Sequence, residues 1–409
     1  MPADAADVVV VGAGVVGAAT AWYAARSGRS VTVVDRGSVA GGTTGAGEGN
    51  ILVSDKPPGA ELDLALLSSG LWRELAVEVG GFEYDPKGGL VVASTPAGFD
   101  ALVSLAASQR EAGVETDVVL AGDLAEHEPH LTPSLAGGVL YPGDAQVQPM
   151  LAAARLLRAA RARGATVRTG VEVTGFLRSG DRVVGVRTTA GDLPAGAVVN
   201  AAGTWGGEIA SLAGVDVPVL PRRGFILVTE PLPRIVRHKV YAAEYVADVA
   251  SDDADLQTSP VVEGTEAGTI LIGASRERVG YDRTLSVRVL RALAAQAVAL
   301  FPVLAGVQVI RTYRGFRPYC PDHLPVIGPD PRAPGLYHAC GHEGAGIGLA
   351  AATGRLIAQL IADEQPDLDV TPFRPDRFPT TPVDHGEIGL PEAVEPRFPH
   401  DQLGRGVHE

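Results

Sequence analysis

The chain has 409 residues, a length that suits two domains better than one small domain. Its composition, 46% hydrophobic and 20% charged, is that of an ordinary globular protein, and its net charge of −14 argues against nucleic acid or an anionic membrane surface as a partner. Its two cysteines, Cys320 and Cys340, exclude a disulfide framework and fit a reducing cytosol, and no apolar run approaches the roughly 20 residues of a membrane span.

The N-terminal segment predicts a strand, a glycine turn, a helix and a second strand that ends on an acid. An apolar run at 8–11 precedes the turn Gly12-Ala13-Gly14-Val15-Val16-Gly17, and a second run at 31–34 leads to Asp35. This order is typical of a βαβ unit that binds the pyrophosphate of a dinucleotide. Acidic residues and no basic segment precede the first strand, so we expect no cleaved signal peptide and a cytoplasmic protein.

Each residue type in this unit has a physical reason. Gly12 permits the tight turn, Gly14 lets phosphates approach the backbone, and Gly17 lets the helix pack closely on the sheet. The helix N-terminus would face the phosphates, and Asp35 would accept from ribose hydroxyls and repel a 2′-phosphate. A glycine-rich loop in an α/β protein without this site is the alternative interpretation.

The glycine-rich segment at 40–50 follows, and its small side chains suit a backbone that wraps a flat, polar group; a flexible surface loop is the alternative. Trp72 lies on a predicted helix and is expected in the core. Glu126, His127, Glu128 and His130 form a run that is more typical of a solvated surface than of a metal site. Periodicity and turn residues predict helices at 62–79, 95–113 and 150–163, and strands at 88–93, 118–120, 136–141, 165–168, 172–176, 182–188 and 197–203.

The region from about residue 218 to 310 lacks βαβ alternation, so we expect an α+β domain built on an antiparallel sheet. Strands are predicted at 225–229, 241–250, 258–263 and 268–275, and an amphipathic helix at 286–301. A strand at 336–340, a glycine-rich turn and a helix at about 350–363 form a second strand–turn–helix. Beyond residue 371 the chain is rich in proline and charge, and we expect a loosely attached tail from about residue 380.

Two late segments narrow the type of cofactor. The first contains Gly315-Phe316-Arg317-Pro318 followed by Pro321-Asp322-His323-Leu324-Pro325, and the second reads Gly341-His342-Glu343-Gly344-Ala345-Gly346-Ile347-Gly348-Leu349. With the N-terminal unit and Asn200-Ala201-Ala202-Gly203-Thr204-Trp205, these motifs make residues 7–365 resemble the FAD-dependent D-amino-acid oxidase superfamily. The resemblance is to its glycine oxidase, sarcosine oxidase and hydroxyproline dehydrogenase branch. The second segment is also similar to the small FAD subunits of hydrogen cyanide synthase and of opine or proline dehydrogenases, which work in complexes.

The resemblance implies an α/β fold with a discontinuous, Rossmann-like FAD-binding domain at 1–80, 140–217 and 311–370. The substrate domain would comprise 81–139 and 218–310, and the tail 371–409. In this family an arginine of the Gly-x-Arg-Pro motif binds the substrate carboxylate; it falls on Arg317, whose planar fork of donors suits a carboxylate, and an ion pair within the protein is the alternative. Arg314 is expected to be structural.

The resemblance also implies the remaining candidates. Tyr241 and Tyr245 lie where relatives place a tyrosine that holds the carboxylate, and either could instead be a packing residue. His342 could face the flavin or accept the amine proton, or be a polar turn residue. The implied FAD contacts are Gly12, Gly14, Val15, Val16, Gly17, Asp35, Arg36, Thr43, Thr44, Gly45, Val173, Gly203, Trp205, Gly341, Gly344, Ala345, Gly346 and Ile347.

Together the residues and the resemblance predict a flavoenzyme that oxidises the C–N bond of a small amino acid, glycine-like, D- or N-substituted, to an imine. Some relatives attach FAD to a cysteine, but the attachment position falls near Gly315, so we expect non-covalent FAD. The electron acceptor would be oxygen, a quinone or a partner subunit. One alternative is an FAD-holding subunit whose partner performs the reaction. Another is an NAD-dependent dehydrogenase, although the second strand–turn–helix argues against it.

Overall fold

The structure is a computed structural model that describes residues 5–243, 245 and 254–378. The tail expected beyond residue 380 lies outside these residues, as does most of the 241–250 segment. Residues 371–378, which the sequence analysis assigned to the tail, instead pack on the body of the protein. Phe373 is fully buried there, and Arg377 Nε lies 2.6 Å from Asp322 Oδ2.

The strands of the described residues follow one another along most of the chain. They are β1 (Ala6–Val11), β2 (Val31–Asp35), β3 (Asn50–Ile51), β4 (Gly89–Ala93), β5 (Asp117–Leu120), β6 (Gly137–Tyr141), β7 (Ala145–Gln146), β8 (Thr166–Thr169), β9 (Val173–Ser179), β10 (Arg182–Thr188), β11 (Gly191–Asn200), β12 (Leu220–Thr229), β13 (Lys239–Ala242), β14 (Gln257–Gly264), β15 (Ile270–Arg276), β16 (Val309–Tyr319), β17 (Val326–Pro329) and β18 (Leu336–Cys340).

The helices of the described residues cover the faces of the sheets. They are α1 (Val15–Arg26), α2 (Ala60–Glu78), α3 (Pro96–Glu111), α4 (Leu124–His127), α5 (Pro149–Ala162), α6 (Gly206–Leu212), α7 (Val287–Leu300) and α8 (Gly346–Ile361). None of these helices has the length and apolarity needed to cross a membrane.

The first sheet has the order β17-β18-β11-β1-β2-β8, and the β9–β10 hairpin attaches to β11. Neighbours from β18 to β8 are parallel, and β17 is an antiparallel edge strand. Val8, Val9 and Val10 on β1 are completely buried, because α1 and α8 pack on one face of this sheet and the β9–β10 hairpin packs with α6 on the other. Helices α1 and α8 pack closely on one face, since a Cβ added to Gly354 would lie 2.6 Å from the carbonyl carbon of Ala19.

The second sheet has the order β16-β12-β15-β14-β13-β4-β6-β5, and α7 packs on it. It is antiparallel as expected except between β13 and β4, which run parallel. The predicted strand at 241–250 starts earlier and ends at Ala242. The predicted domain boundary between residues 310 and 311 falls inside β16, which pairs with β12 along its whole length.

Two further predictions need correction. The C-terminal helix begins at Gly346 and not near residue 350, so Gly346 and Ile347 form its first turn. Glu128 is completely buried and does not belong to a solvated surface: it accepts hydrogen bonds from the backbone N–H groups of Arg237 at 2.8 Å and His238 at 2.5 Å. A buried carboxylate needs such donors, and the sequence run gave no sign of them because they come from a distant segment.

Candidate functional site

The glycine turn between β1 and α1 has the tight geometry that its sequence predicts. Gly12 has a φ of +115°, and a Cβ there would lie 2.3 Å from the carbonyl oxygen of Ala201, so only glycine fits. A Cβ on Gly17 would lie 2.0 Å from the carbonyl oxygen of Gly12, so Gly17 serves the packing of helix on turn. The N-cap residue of α1, Gly14, has no side chain with which to cap the helix, and of the first-turn N–H groups that of Val15 donates to Thr44 Oγ1. The other first-turn N–H groups and the positive dipole end of α1 therefore suit an anionic group.

Asp35 lies at the end of β2 beside this turn. Its Oδ2 accepts from the N–H of Ala13 and its Oδ1 from the N–H of Gly37, both at 2.7 Å. These bonds fix the orientation of the carboxylate, and each oxygen keeps a further lone pair for a hydroxyl donor.

An aromatic stack lies near Asp35. The rings of Trp205 and Tyr281 are nearly parallel, 4° apart with centroids at 5.9 Å, and the Arg36 guanidinium lies 4.6 Å from the Trp205 centroid. Arg36 also forms an exposed ion pair with Glu172 at 3.7 Å. The structure thus brings together Arg36 and Trp205, both predicted, with Tyr281, which the sequence analysis missed.

The glycine-rich loop at 40–50 connects the turn with the second sheet. Thr44 Oγ1 accepts from the N–H of Val15 at 3.0 Å, and Thr43 Oγ1 donates to the carbonyl oxygen of Phe316 at 2.6 Å. Gly45 packs within the loop itself, where a Cβ would lie 2.4 Å from the carbonyl oxygen of Ala40. The loop is therefore ordered by contacts on both sides.

A cavity of about 760 Å³ extends from the glycine turn to β16 and the start of α8; we call it the main cavity. Most of the sequence-predicted site residues line it. They are Gly12, Gly14, Val15, Val16, Asp35, Arg36, Thr43, Thr44, Val173, Gly203, Trp205, Tyr245, Arg317, His342, Gly344, Gly346 and Ile347. The predicted residues outside its wall are Gly17, Gly45, Tyr241, Gly341 and Ala345. A Cβ on Gly341 would lie 2.5 Å from Cys320 Sγ, so Gly341 packs against the core.

Arg317 reaches across the second sheet into the main cavity. It lies on β16, extends over Gly224 of the neighbouring β12, and donates from Nη1 to the carbonyl oxygen of Ser275 on β15 at 2.8 Å. A Cβ on Gly224 would lie 2.2 Å from Nη1, so the missing side chain creates the space for the guanidinium. Among the described residues no carboxylate lies within ion-pair distance of Arg317. Burial and the charge of Arg276 lower the pKa of Arg317, which nevertheless stays ionised as arginines do in proteins.

Glu48 faces the same cavity and was not among the predicted site residues. Only 7% of it is exposed, and its Oε1 has no hydrogen-bond partner among the described residues, while Oε2 accepts from Asn50 Nδ2 at 3.1 Å and lies 3.7 Å from Lys239 Nζ. Lys239 also lies 3.4 Å from Glu263 Oε2. Burial disfavours the lysine cation, but the charges of Glu48 and Glu263 outweigh burial and raise the pKa of Lys239. Glu48 therefore brings a buried carboxylate to the wall of the cavity.

The two candidate tyrosines have different surroundings. Tyr245 lines the main cavity, and the guanidinium of Arg276 lies 4.4 Å from its ring centroid. Tyr241 is fully buried behind it, with ring centroids 5.1 Å apart, and donates its hydroxyl to Ser54 Oγ at 2.5 Å. Because Tyr241 lines neither this cavity nor its neighbour, the structure gives it a packing position and no reach to a ligand.

A second cavity of about 730 Å³ lies beside the main cavity; we call it the side cavity. The two share Tyr245, His342, Glu343 and Gly344, and the side cavity adds Arg276 from the end of β15. Much of its remaining wall is apolar or small: Pro57, Pro58, Gly59, Ala60, Ala101, Leu102, Leu105 and Ala345.

His342 stands between the cavities and is neutral. Burial lowers its pKa to about 3. Thr353 Oγ1 donates its proton to the carbonyl oxygen of Leu349, so His342 Nε2, 3.0 Å from the same hydroxyl, must donate to it. Nδ1 is then the acceptor nitrogen. A group this weakly basic is a poor acceptor for an amine proton, and we assign it a neutral, polar role in the wall.

Glu343 belongs to a buried ion-pair cluster. It accepts from Arg222 Nη1 at 2.6 Å and lies 3.0 Å from His323 Nδ1. Burial would raise the pKa of Glu343, but the hydrogen bond from His323 and the charges of Arg222 and Arg276 lower it overall. The glycine-rich turn before α8 is therefore held by an ionised carboxylate.

Neither cysteine lines the main cavity or the side cavity. Cys320 and Cys340 are free and completely buried, and burial raises the pKa of both thiols, that of Cys340 to about 12. Such thiols are unreactive. Arg314 also lies outside both cavity walls, as expected for a structural residue.

Sequence reasoning missed Glu48, Gly224, Arg276 and Tyr281. Glu48 offered a weak signal, as the sole acid in the glycine-rich 40–50 segment. The others offered none, because an arginine, a tyrosine or a glycine in a strand is ordinary until the fold shows its neighbours.

Comparison with known proteins gives consistent findings. A family model described as DAO, FAD dependent oxidoreductase, matches residues 7–360. The chain is 31% identical to hydrogen cyanide synthase subunit HcnC of Pseudomonas aeruginosa, over 92% of this chain and 97% of the relative. It is also 31% identical to glycine oxidase of Pseudomonas putida, over 90% and 98%. The structure of glycine oxidase from Geobacillus kaustophilus superposes with a TM-score of 0.84 at 27% identity, covering 92% of this chain and 100% of that chain. The expected fold class and resemblance are confirmed.

Proposed function

Because the chain belongs to the DAO family of FAD-dependent oxidoreductases, we propose that it oxidises the C–N bond of a small amino acid, glycine-like, D- or N-substituted. The protein is a flavoenzyme whose relatives include glycine oxidase. The observation that carries the proposal is Arg317, a guanidinium that faces the main cavity with no carboxylate partner among the described residues.

The residues of the main cavity fit FAD. The N-terminus of α1 at Gly14 would receive the pyrophosphate, and Asp35 has lone pairs for ribose hydroxyls. The stack of Arg36 and Trp205, with Val173 in the same wall, suits a flat ring at that end. At the other end, Gly344, Gly346 and Ile347 would leave room for the flavin ring. When bound, the flavin accepts a hydride from the substrate at N5. Since both cysteines are buried outside the cavity, we expect non-covalent FAD.

We propose that the carboxylate and the amine of the substrate bind to side chains of opposite charge. Arg317 would bind the carboxylate, and its bond to Ser275 fixes the fork so that the α-carbon is positioned for transfer. Glu48, in the wall of the same cavity, would direct its negative charge toward the amine. As the α-carbon loses hydride, positive charge grows on nitrogen, and a nearby fixed carboxylate stabilises it. The amine then loses a proton, and water hydrolyses the imine to a 2-oxo acid and an amine or ammonia.

The electron acceptor that reoxidises the flavin is a separate and more specific proposal. HcnC is by its name a subunit, and that likeness favours a partner subunit or quinone as acceptor over oxygen. An FAD-holding subunit without its own chemistry is the second candidate, but Arg317, which lines the main cavity and has no carboxylate partner within the described part of the chain, favours a substrate site. The family membership removes the basis for the NAD-dependent alternative. We further propose that the first sheet and its helices form the FAD-binding domain and the second sheet the substrate domain.

The test begins with the absorbance spectrum of the purified protein, which should show flavin bands at roughly 370 and 450 nm. Amino acids are then added without oxygen, and one class should bleach the 450 nm band. The rate at which the 450 nm band returns in air then distinguishes an oxidase from a dehydrogenase. Replacing Arg317→Ala should raise the apparent KM strongly and leave the flavin bound. Flavin bands that no amine bleaches would refute the proposal.

A further inference from the structure

Arg276 is a buried arginine without a hydrogen-bond partner among the described residues. It ends β15, is only 3% exposed, and lines the side cavity. Its guanidinium lies 4.4 Å above the ring of Tyr245, which leaves the N–H edge of the fork unused. No described residue accepts from its five donors, and Arg276 lines the side cavity, so this edge is placed to meet an anion there.

The charges around Arg276 do not neutralise it directly. Asp55 pairs with Lys56 at 2.5 Å, and Glu343 is held by Arg222 and His323. Glu61 remains, but burial raises its pKa to about 7, so it is only about half ionised at neutral pH.

A second guanidinium group lies close enough to interact with Arg276. Arg317 binds the carbonyl oxygen of Ser275, the residue next to Arg276, and the charge of Arg276 lowers the pKa of Arg317. Two neighbouring guanidinium groups repel each other unless anionic groups lie against them. Arg317 opens into the main cavity and Arg276 into the side cavity, with Tyr245 in the wall of both.

We propose that the substrate carries a second carboxylate, bound by Arg276 in the side cavity, while Arg317 holds the α-carboxylate in the main cavity. This inference rests on the proposed function and narrows its substrate class to amino acids with an acidic group on the nitrogen substituent or side chain. The apolar wall of the side cavity, with Leu102 and Leu105, would contact the carbon chain that connects the two charges.

The experiment compares substrates that differ only in the second carboxylate, using the FAD-loaded protein. Iminodiacetate is matched with N-methylglycine, and D-glutamate with D-glutamine, so the two pairs separate a carboxylate on nitrogen from one on the side chain. The proposal expects kcat/KM to favour the acidic member of one pair at least about tenfold. Arg276→Gln should abolish that preference and change kcat/KM for the uncharged member less than about threefold. Arg276→Lys, which keeps the positive charge, should retain part of the preference for the acidic substrate.

A binding measurement keeps the test independent of turnover. Glutarate and butyrate are titrated against the flavin absorbance of wild type, Arg276→Gln and Arg291→Gln, an exposed arginine on α7 that serves as the matched control. Glutarate should bind at least about tenfold more tightly than butyrate, and only Arg276→Gln should remove the difference.

Equal binding in the wild type, or equal losses for both acids in Arg276→Gln, would overturn the proposal; the latter would mean that both arginines hold one carboxylate. If no amine is oxidised but glutarate is preferred through Arg276, the proposed function fails and the anion site stands.

Discussion

Replacing Gly224→Ala should disable the proposed carboxylate site by displacing the Arg317 side chain while leaving Arg317 itself unchanged in sequence. The new Cβ would lie 2.2 Å from Arg317 Nη1 and 2.6 Å from the carbonyl oxygen of Ser275, whereas ordinary contacts begin at 3.4 Å. The guanidinium must therefore retreat by about 1 Å or more and give up its bond to Ser275. A misplacement of about 1 Å costs on the order of 100-fold in rate, or about 2.7 kcal/mol of transition-state stabilisation.

The assay is steady-state kinetics with the amino acid that bleaches the flavin, together with flavin content and thermal unfolding. We expect kcat/KM to fall about 100-fold while the ratio of flavin to protein stays at the wild-type value. Gly175→Ala is the matched control, because its Cβ would also enter a strand but would meet only Arg187 Cδ at an ordinary 3.9 Å. Unchanged kcat/KM in Gly224→Ala would refute the position that we assign to Arg317.

Three further changes test the charges and the packing. Glu48→Gln should slow anaerobic flavin reduction about tenfold or more in stopped-flow measurements with flavin retained, and an unchanged rate would remove Glu48 from the amine site. His342 has a pKa of about 3 when folded and about 6.5 when unfolded, so the unfolded chain binds more protons between these values and stability falls as the pH drops below 6.5. The free energy of unfolding, measured in urea at pH 7 and pH 5, falls at the lower pH. This fall should be smaller by up to about 2 kcal/mol in His342→Gln than in the wild type. Gly354→Ala should destabilise the fold by about 1–3 kcal/mol because its Cβ meets the backbone of α1, whereas Gly70→Ala, with open space in α2, should stabilise by up to about 1 kcal/mol. Equal shifts in thermal unfolding for the two alanines would contradict this packing.

The sequence alone determined the N-terminal unit, because every requirement of that unit is local. The turn needs glycines at Gly12 and Gly17, the helix needs its N-terminus beside them, and the acid must follow the second strand. All of these residues lie within one continuous stretch, so their spacing along the chain fixes their relative positions in the fold. The same holds for the strand–turn–helix that ends in α8, whose start the sequence placed only a few residues late.

Only the tertiary structure decided what surrounds Arg317. The motif pointed to this residue, but its position depends on Gly224 and Ser275, which lie on two other strands. The register of β16 against β12 and the order of the sheet bring these residues together, and neither can be read from a single strand.

The same reason explains the other charged residues of the site. Glu48 is a candidate because it lies beside Lys239 in the cavity wall. Arg276 is a candidate because no described residue accepts a hydrogen bond from its guanidinium. Whether a charged side chain is paired, exposed or directed into a cavity depends on burial and on neighbours that are distant in the chain. The sequence therefore determined which cofactor the protein holds and which arginine we propose as the carboxylate ligand, and the tertiary structure decided which further charges line the two cavities.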